Sequence, residues 1–290
     1  MVGMRRPRMP REGRRRGRHG DRRVVTTGPG GVSGLIVLFW FCIFLVQYVW
    51  TPHDPYEMNF AARLQAPGAE YLLGTDKYGR DILSRIMVGS QSVIQLSMTG
   101  TMLAVACGLL IGLASTMLGG RYDEAIMRFM DILMSFPSLL LALLVVGVLG
   151  PSYLNVVLVI GVVFAPRVAR VVRSIAREIM GREFIDLACA RGDRWYGIMF
   201  VEVAPNLLGP LAVETGVRFA YALFLTASLG FLGLGVQPPE ADWGLMVNEG
   251  RDVIDFAPWI VLFPALSIAS IVIAVNVLSD LFRRVWVGEL

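Results

Sequence analysis

Glu214 and Arg218 stand four residues apart inside a predominantly apolar run. On a helix that spacing puts both on one face. Ionisable groups at membrane depth face either a cavity or each other. The pair is therefore read as lining a solute path or as a salt bridge, and Asn276 and Asp280 carry the same two readings. Gly230, Gly233 and Gly235 lie just beyond. Small residues let helices approach closely, so these glycines pack helices together or shape a gate at one end of a path. The residues needed for covalent or metal chemistry are missing. There is no phosphate-cradling G-x-x-x-x-G-K-[ST] loop and no nucleophile–base set. Cys42, Cys107 and Cys189 form no CxxC pair, and His19 and His53 are isolated. The chain is expected to be non-enzymatic and to hold no cofactor or metal.

A second segment with chemical content runs from Glu183 to Asn206. Glu183-Phe-Ile-Asp186-Leu187-Ala188-Cys-Ala reads as a short helix, Gly192 as the turn that ends it, and Pro205 as a break before the next apolar run. The expectation is a compact helix–turn–helix, rigid and exposed, of the kind that docks a partner.

These residues need elements to hold them, and composition says which. The 290 residues are 55% hydrophobic and 17% charged, against about 25% charged in soluble domains. The apolar residues come in long uncharged runs, such as that between Arg85 and Arg121. About 20 apolar residues span the hydrocarbon as a helix. The runs lack the alternation of a barrel strand. The reading is an all-α integral membrane protein with six spans, at about 33–50, 93–118, 132–149, 153–172, 207–233 and 258–281. Gly150-Pro151 turns the third into the fourth.

Lysine and arginine placement orients the spans. Arg121, Arg128, Arg167, Arg170, Arg173, Arg177, Arg182, Arg191, Arg194, Arg283 and Arg284 fall on one side with the Arg-rich residues 1–30, while Arg63, Lys77, Arg80, Arg85 and Arg251 fall on the other. By the positive-inside rule both termini are cytoplasmic. Residues 1–30 read as a disordered tail that touches anionic lipid rather than nucleic acid. Residues 31–92 hold the first span and an external segment. Within it Ile82, Leu83, Ile86 and Met87 share one face and Asp81 and Arg85 another, as in a short helix lying at the membrane surface. Residues 93–290 form the core, with a cytoplasmic loop at 174–206. Trp243 and Trp259 are placed as interfacial anchors.

Three ordered segments resemble one family. Gly74-Thr-Asp-Lys-Tyr-Gly-Arg-Asp81 resembles its G-T-D-x-x-G-R-D box. Phe231-Leu-Gly-Leu-Gly-Val-Gln-Pro-Pro239, with Asp242-Trp-Gly244 and Glu249-Gly-Arg-Asp252, resembles its F-L-G-L-G-x-Q-P-P…W-G…E-G-R box. Asp131-Ile-Leu-Met-Ser-Phe-Pro137 matches a third. The family is that of ABC importer permeases for dipeptides, oligopeptides and nickel, and the chain looks like the second of the two permeases. Asp186, Leu187, Ala188, Gly192 and Pro205 fall on the family's E-A-A-x-x-x-G…P loop, with Asp186 for the usual glutamate and Leu187 for the first alanine. The resemblance implies a type I importer permease fold in a bacterial inner membrane. It also implies a loop that couples to two separate ATP-binding subunits, a second permease subunit and an extracytoplasmic substrate-binding protein. ATP and magnesium would be bound by those partners. The rival classes, a secondary transporter and an intramembrane enzyme, would need inverted repeats with buried ion sites or a catalytic set at depth.

Overall fold

The computed structural model describes residues 29–287. Most of the tail at 1–30 lies outside the described residues. Nine helices carry most of the described chain, with a long irregular segment at 47–81 between the first two: α1 Pro29–Val46, α2 Ile82–Leu118, α3 Gly120–Ser135, α4 Ser138–Leu149, α5 Tyr153–Met180, α6 Glu183–Ala190, α7 Trp195–Phe231, α8 Trp243–Gly250 and α9 Trp259–Val287. No strand forms among the described residues; Thr75 and Asp81 make an isolated antiparallel bridge. Helices α2, α5, α7 and α9 are long and apolar enough to cross a membrane, and α3 with α4 adds a crossing if the bent pair is one span. Helix α1 is apolar but shorter.

The frame is the pairing of α2 with α5. Gly100, Ala104, Gly108 and Gly112 recur every four residues and so form one stripe along α2. A Cβ on Gly100 would lie 2.6 Å from Ile160, on Gly108 2.5 Å from Val168, and on Gly112 2.7 Å from Val172. Small residues let the two backbones close up where lipid offers no hydrophobic drive to pack. Polar side chains tie further helices to this pair. Ser97 and Thr226 share a buried hydrogen bond of 3.1 Å between α2 and α7, and the Trp40 indole on α1 donates to Ser270 on α9 at 2.8 Å.

Three expectations are corrected. The predicted surface helix at 80–87 is the first turns of α2 itself. Asp81 caps it by accepting from Ser84 N at 2.9 Å, so α2 runs 37 residues, about 55 Å, well past the hydrocarbon. The third span is broken: Ile132–Ser135 belong to α3, and α4 leaves at 90°. Phe136 precedes Pro137 and is driven to an extended conformation, which stops α3 there. Lastly, Pro205 does not break the chain before a span. Helix α7 starts at Trp195 and passes through Pro205, preceded by a π-helical stretch at Ile198–Val203. The wider turn accommodates the missing N–H, and Asn206 Nδ2 donates back to Glu202 O at 2.6 Å.

Candidate functional site

On the face that carries the helix α4–α5 turn, residues 51–81, the start of α2 and residues 232–259 build a cap. Its centre is ionic. Arg80 Nε lies 2.6 Å from Asp76 Oδ2, and Arg80 Nη2 lies 2.8 Å from Glu249 Oε2. Arg85 faces the same two carboxylates at 3.9 and 3.8 Å. Arg85 is 1% exposed and Glu249 16%. Two guanidiniums and two carboxylates thus balance in a nearly water-free pocket, where an unpaired charge is costly. Asp81 and Arg85, expected as surface residues opposite an apolar face, are both buried here.

Aromatic and glycine residues close the cap. The Trp243 indole donates to Ile86 O at 2.9 Å, packs at a 59° tilt against Trp40 with 4.6 Å between ring centres, and is fully buried. Trp243 is therefore a core residue rather than a membrane-interface anchor. Trp259 Nε1 reaches Thr75 O at 3.3 Å. Among the predicted glycines, Gly230 lets α8 approach: a Cβ there would meet Asp242 Oδ1 at 2.2 Å. A Cβ on Gly235 would lie 2.8 Å from Gly230 Cα, and Gly233 takes φ +74° at the turn leaving α7. Asp242 caps α8 through Leu245 N at 3.0 Å, while its Oδ2 finds no partner among the described residues. Burial pushes its carboxyl up to about 6.

At the opposite end, α6 presents the loop residues. Ile185 and Ala188, three apart, are buried against Ile179, Ile198 and Met199. Glu183, Asp186 and Leu187 point away, and Leu187 is 64% exposed with no cover from this chain. The two acids lie in the first turn, where the helix dipole favours them. Gly192 at φ +80° ends α6 in a Schellman arrangement: its N–H donates to Cys189 O at 3.0 Å, and Asp193 N donates to Ala188 O at 3.2 Å. Pro205 is exposed on α7.

Glu214 and Arg218 pair at 2.6 Å, each side chain 14% exposed, with the Arg218 guanidinium 5.4 Å from the Tyr221 ring centre. The pair lies about 20 Å along α7 from its Phe231 end. Asp280 is exposed, and Asn276 is exposed and donates to Val272 O at 2.9 Å.

Two ion clusters escaped the sequence reading. The Asp76–Arg80–Arg85–Glu249 group spans two quoted boxes, whose charged residues were the available signal. The other is on α3, outside the apolar run that begins at Ile132. Buried Asp123 accepts from Ser115 and Arg177, and from Arg173 Nη2 at 2.6 Å. The hydrogen bond from Arg173 is the main cause holding the Asp123 carboxyl down at about 2. No spacing within one segment announces that clasp, because its acid and arginines come from different helices.

Comparison with known proteins agrees with this architecture. Residues 104–287 match the family described as binding-protein-dependent transport system inner membrane component. The chain is 37% identical over 262 residues to the di/tripeptide transport system permease protein DppC of Pseudomonas aeruginosa, covering 88% of this chain and 86% of that one. It is 38% identical over 253 residues to the dipeptide permease DppC of Alkalihalophilus pseudofirmus, covering 87% and 83%. It is 33% identical over 249 residues to the nickel transport system permease protein NikC of Escherichia coli, covering 86% and 90%. Among solved structures, an amino acid ABC transporter crystallised with histidines shares the fold, at TM-score 0.51 and 16% identity over 69% of this chain and 93% of that one. The chain belongs to the family of binding-protein-dependent transport system inner membrane components, multi-pass permeases of the bacterial inner membrane.

Proposed function

We propose that this chain is a permease subunit of an ATP-driven importer of di- or oligopeptides. It crosses the membrane six times with both termini cytoplasmic: α1, α2, the apolar run 132–149 of the bent α3–α4 pair, α5, α7 and α9 supply the crossings, and the arginine bias sets the direction. It forms half of the pathway, and a second permease subunit forms the rest. Two ATP-binding subunits dock on the cytoplasmic side, and an extracytoplasmic binding protein delivers cargo to the cap. ATP and magnesium belong to the partner subunits, and this chain holds neither.

The observation that carries the reading is α6. It is short and capped at its C-terminal end, anchored by Ile185 and Ala188, and offers Glu183, Asp186 and Leu187 outward. An apolar side chain held outward on a rigid helix is what a groove in a partner needs. Closure of the ATP-binding subunits would move α6 and, through the continuous α7, the Gly230–Gly235 turn that borders the outer gate. ATP can drive that switch only by binding the two states differently. Glu214 and Arg218, paired with each other, contribute one polar step on the path side of α7. Nickel import is the second reading, favoured by the likeness to a nickel permease.

The test is purification of the tagged chain in mild detergent with mass spectrometry of what accompanies it. ATP-binding subunits and a second permease should copurify, and Gly192→Pro, which breaks the cap of α6, should lose the ATP-binding subunits alone. Recovery of the same set from both proteins would remove α6 from the coupling role.

A further inference from the structure

The outer end of α2 carries a polar stripe beside the cap. Gln91, Gln95 and Thr99 follow one another at intervals of four and so share a face. Gln95 and Thr99 are exposed on it. Gln91 accepts from Gln47, just past the end of α1, at 3.1 Å, which sets Gln91 at the outer membrane boundary. Gln95 then lies about 6 Å deeper and Thr99 about 12 Å deeper. Exposed carboxamides at that level cannot face hydrocarbon without loss, so this face turns away from lipid.

Gln91 and Gln95 form one wall of a cleft of about 260 Å³ with Tyr56, Tyr153 and Glu240. Glu240 is exposed and makes no ion pair among the described residues. The Tyr56 phenol is raised by its burial and then by the nearby Glu240 carboxylate, which places both groups at one mouth. The Gln95 amide nitrogen donates to nothing among the described residues, and its oxygen meets only Gln91 Nε2, at 3.5 Å.

We propose that this cleft is a transit subsite for the N-terminal end of a peptide. Glu240 takes the α-ammonium group, and Gln91 and Gln95 exchange hydrogen bonds with the first peptide amide. Carboxamides carry a donor and an acceptor on one plane, as a peptide bond does, and a lone carboxylate at the rim selects a cation. The inference rests on the peptide-import reading. A fully charged cage would hold cargo too long, whereas one carboxylate with neutral amides allows it to leave.

The test uses the whole complex purified through this chain, in proteoliposomes trapped with ATP and vanadate. Cys42, Cys107 and Cys189 are replaced by serine and Gln95 by cysteine, and a membrane-impermeant thiol reagent is added outside. Gln95→Cys should label readily, and dialanine should slow labelling at least about fivefold. N-acetylated dialanine should not slow it, and adding Glu240→Gln should remove the dialanine effect without changing the labelling rate. Absence of labelling, or labelling that dialanine leaves unchanged, would overturn the subsite. Uptake of labelled dialanine by the wild-type complex is measured alongside. If the wild-type complex imports neither dialanine nor a longer peptide, the peptide-import reading fails; if it imports either while Gln95→Cys stays unprotected by dialanine, only the subsite fails.

Discussion

Replacing Glu249 by glutamine removes one of two carboxylates shared by Arg80 and Arg85. The distances are 2.8 and 3.8 Å. At an effective dielectric of about 20 these correspond to about 6 and about 4 kcal/mol of attraction. Relief of the carboxylate's own desolvation, the retained amide dipole and partial exposure of Glu249 offset much of it. A net loss of about 3 kcal/mol remains, in line with the cost of leaving a buried charge unpaired. Because Asp76 stays, the cap opens locally rather than the whole bundle unfolding. Hydrogen exchange at residues 74–86 should therefore speed up about a hundredfold, while the α2–α5 seam keeps its protection. The double variant Arg80→Met with Glu249→Met removes one charge of each sign and leaves Arg85 with Asp76. It should exchange more slowly than Glu249→Gln alone. Protection in Glu249→Gln within threefold of wild type would refute the claim that these charges are buried and interdependent.

Gly244→Ala would set a Cβ 2.2 Å from the Ala227 carbonyl, which is backbone and cannot turn aside; α8 should lose its seat on α7, seen as a lowered melting temperature in detergent, at a cost of about 1–3 kcal/mol. Asp242 has a raised folded-state pKa, so its contribution is full below about 3.8 and falls as pH rises through about 6. The cap should be more stable at pH 5 than at pH 8, and Asp242→Asn, which still caps α8, should abolish that difference in a thermal scan. Asp123 behaves oppositely. Its depressed pKa means its contribution is present above about 3.8 and lost as pH falls toward about 2. Proteolysis between α3 and α5 should thus be flat from pH 8 to pH 5, and Asp123→Asn should raise it throughout.

Helix existence was legible because it follows from long uncharged runs, and the α6 turn because Gly192 is the residue that tolerates φ +80°. What escaped was set by contacts between distant segments. Arg80–Asp81 and Arg85 read as an interfacial helix until Glu249, far along the chain, supplies the counter-charge. Trp243 has the composition of an interface anchor, and only the carbonyl of Ile86 makes it a core residue. The break at Phe136-Pro137 was visible in principle, since a residue before proline resists helix, but the apolar run on both sides masked it. Pro205 misled in the other sense: a π turn let the helix continue through it.

The proposed function is peptide movement at the expense of ATP, through partners coupled at α6. The most direct measurement is uptake of labelled dialanine into proteoliposomes holding the complex purified through this chain, with binding protein outside and ATP inside, and with either one omitted or both placed outside. Uptake should occur only with binding protein outside and ATP inside, and should be lost with Gly192→Pro. Uptake by this chain alone, driven by an ion gradient and indifferent to ATP, would contradict it.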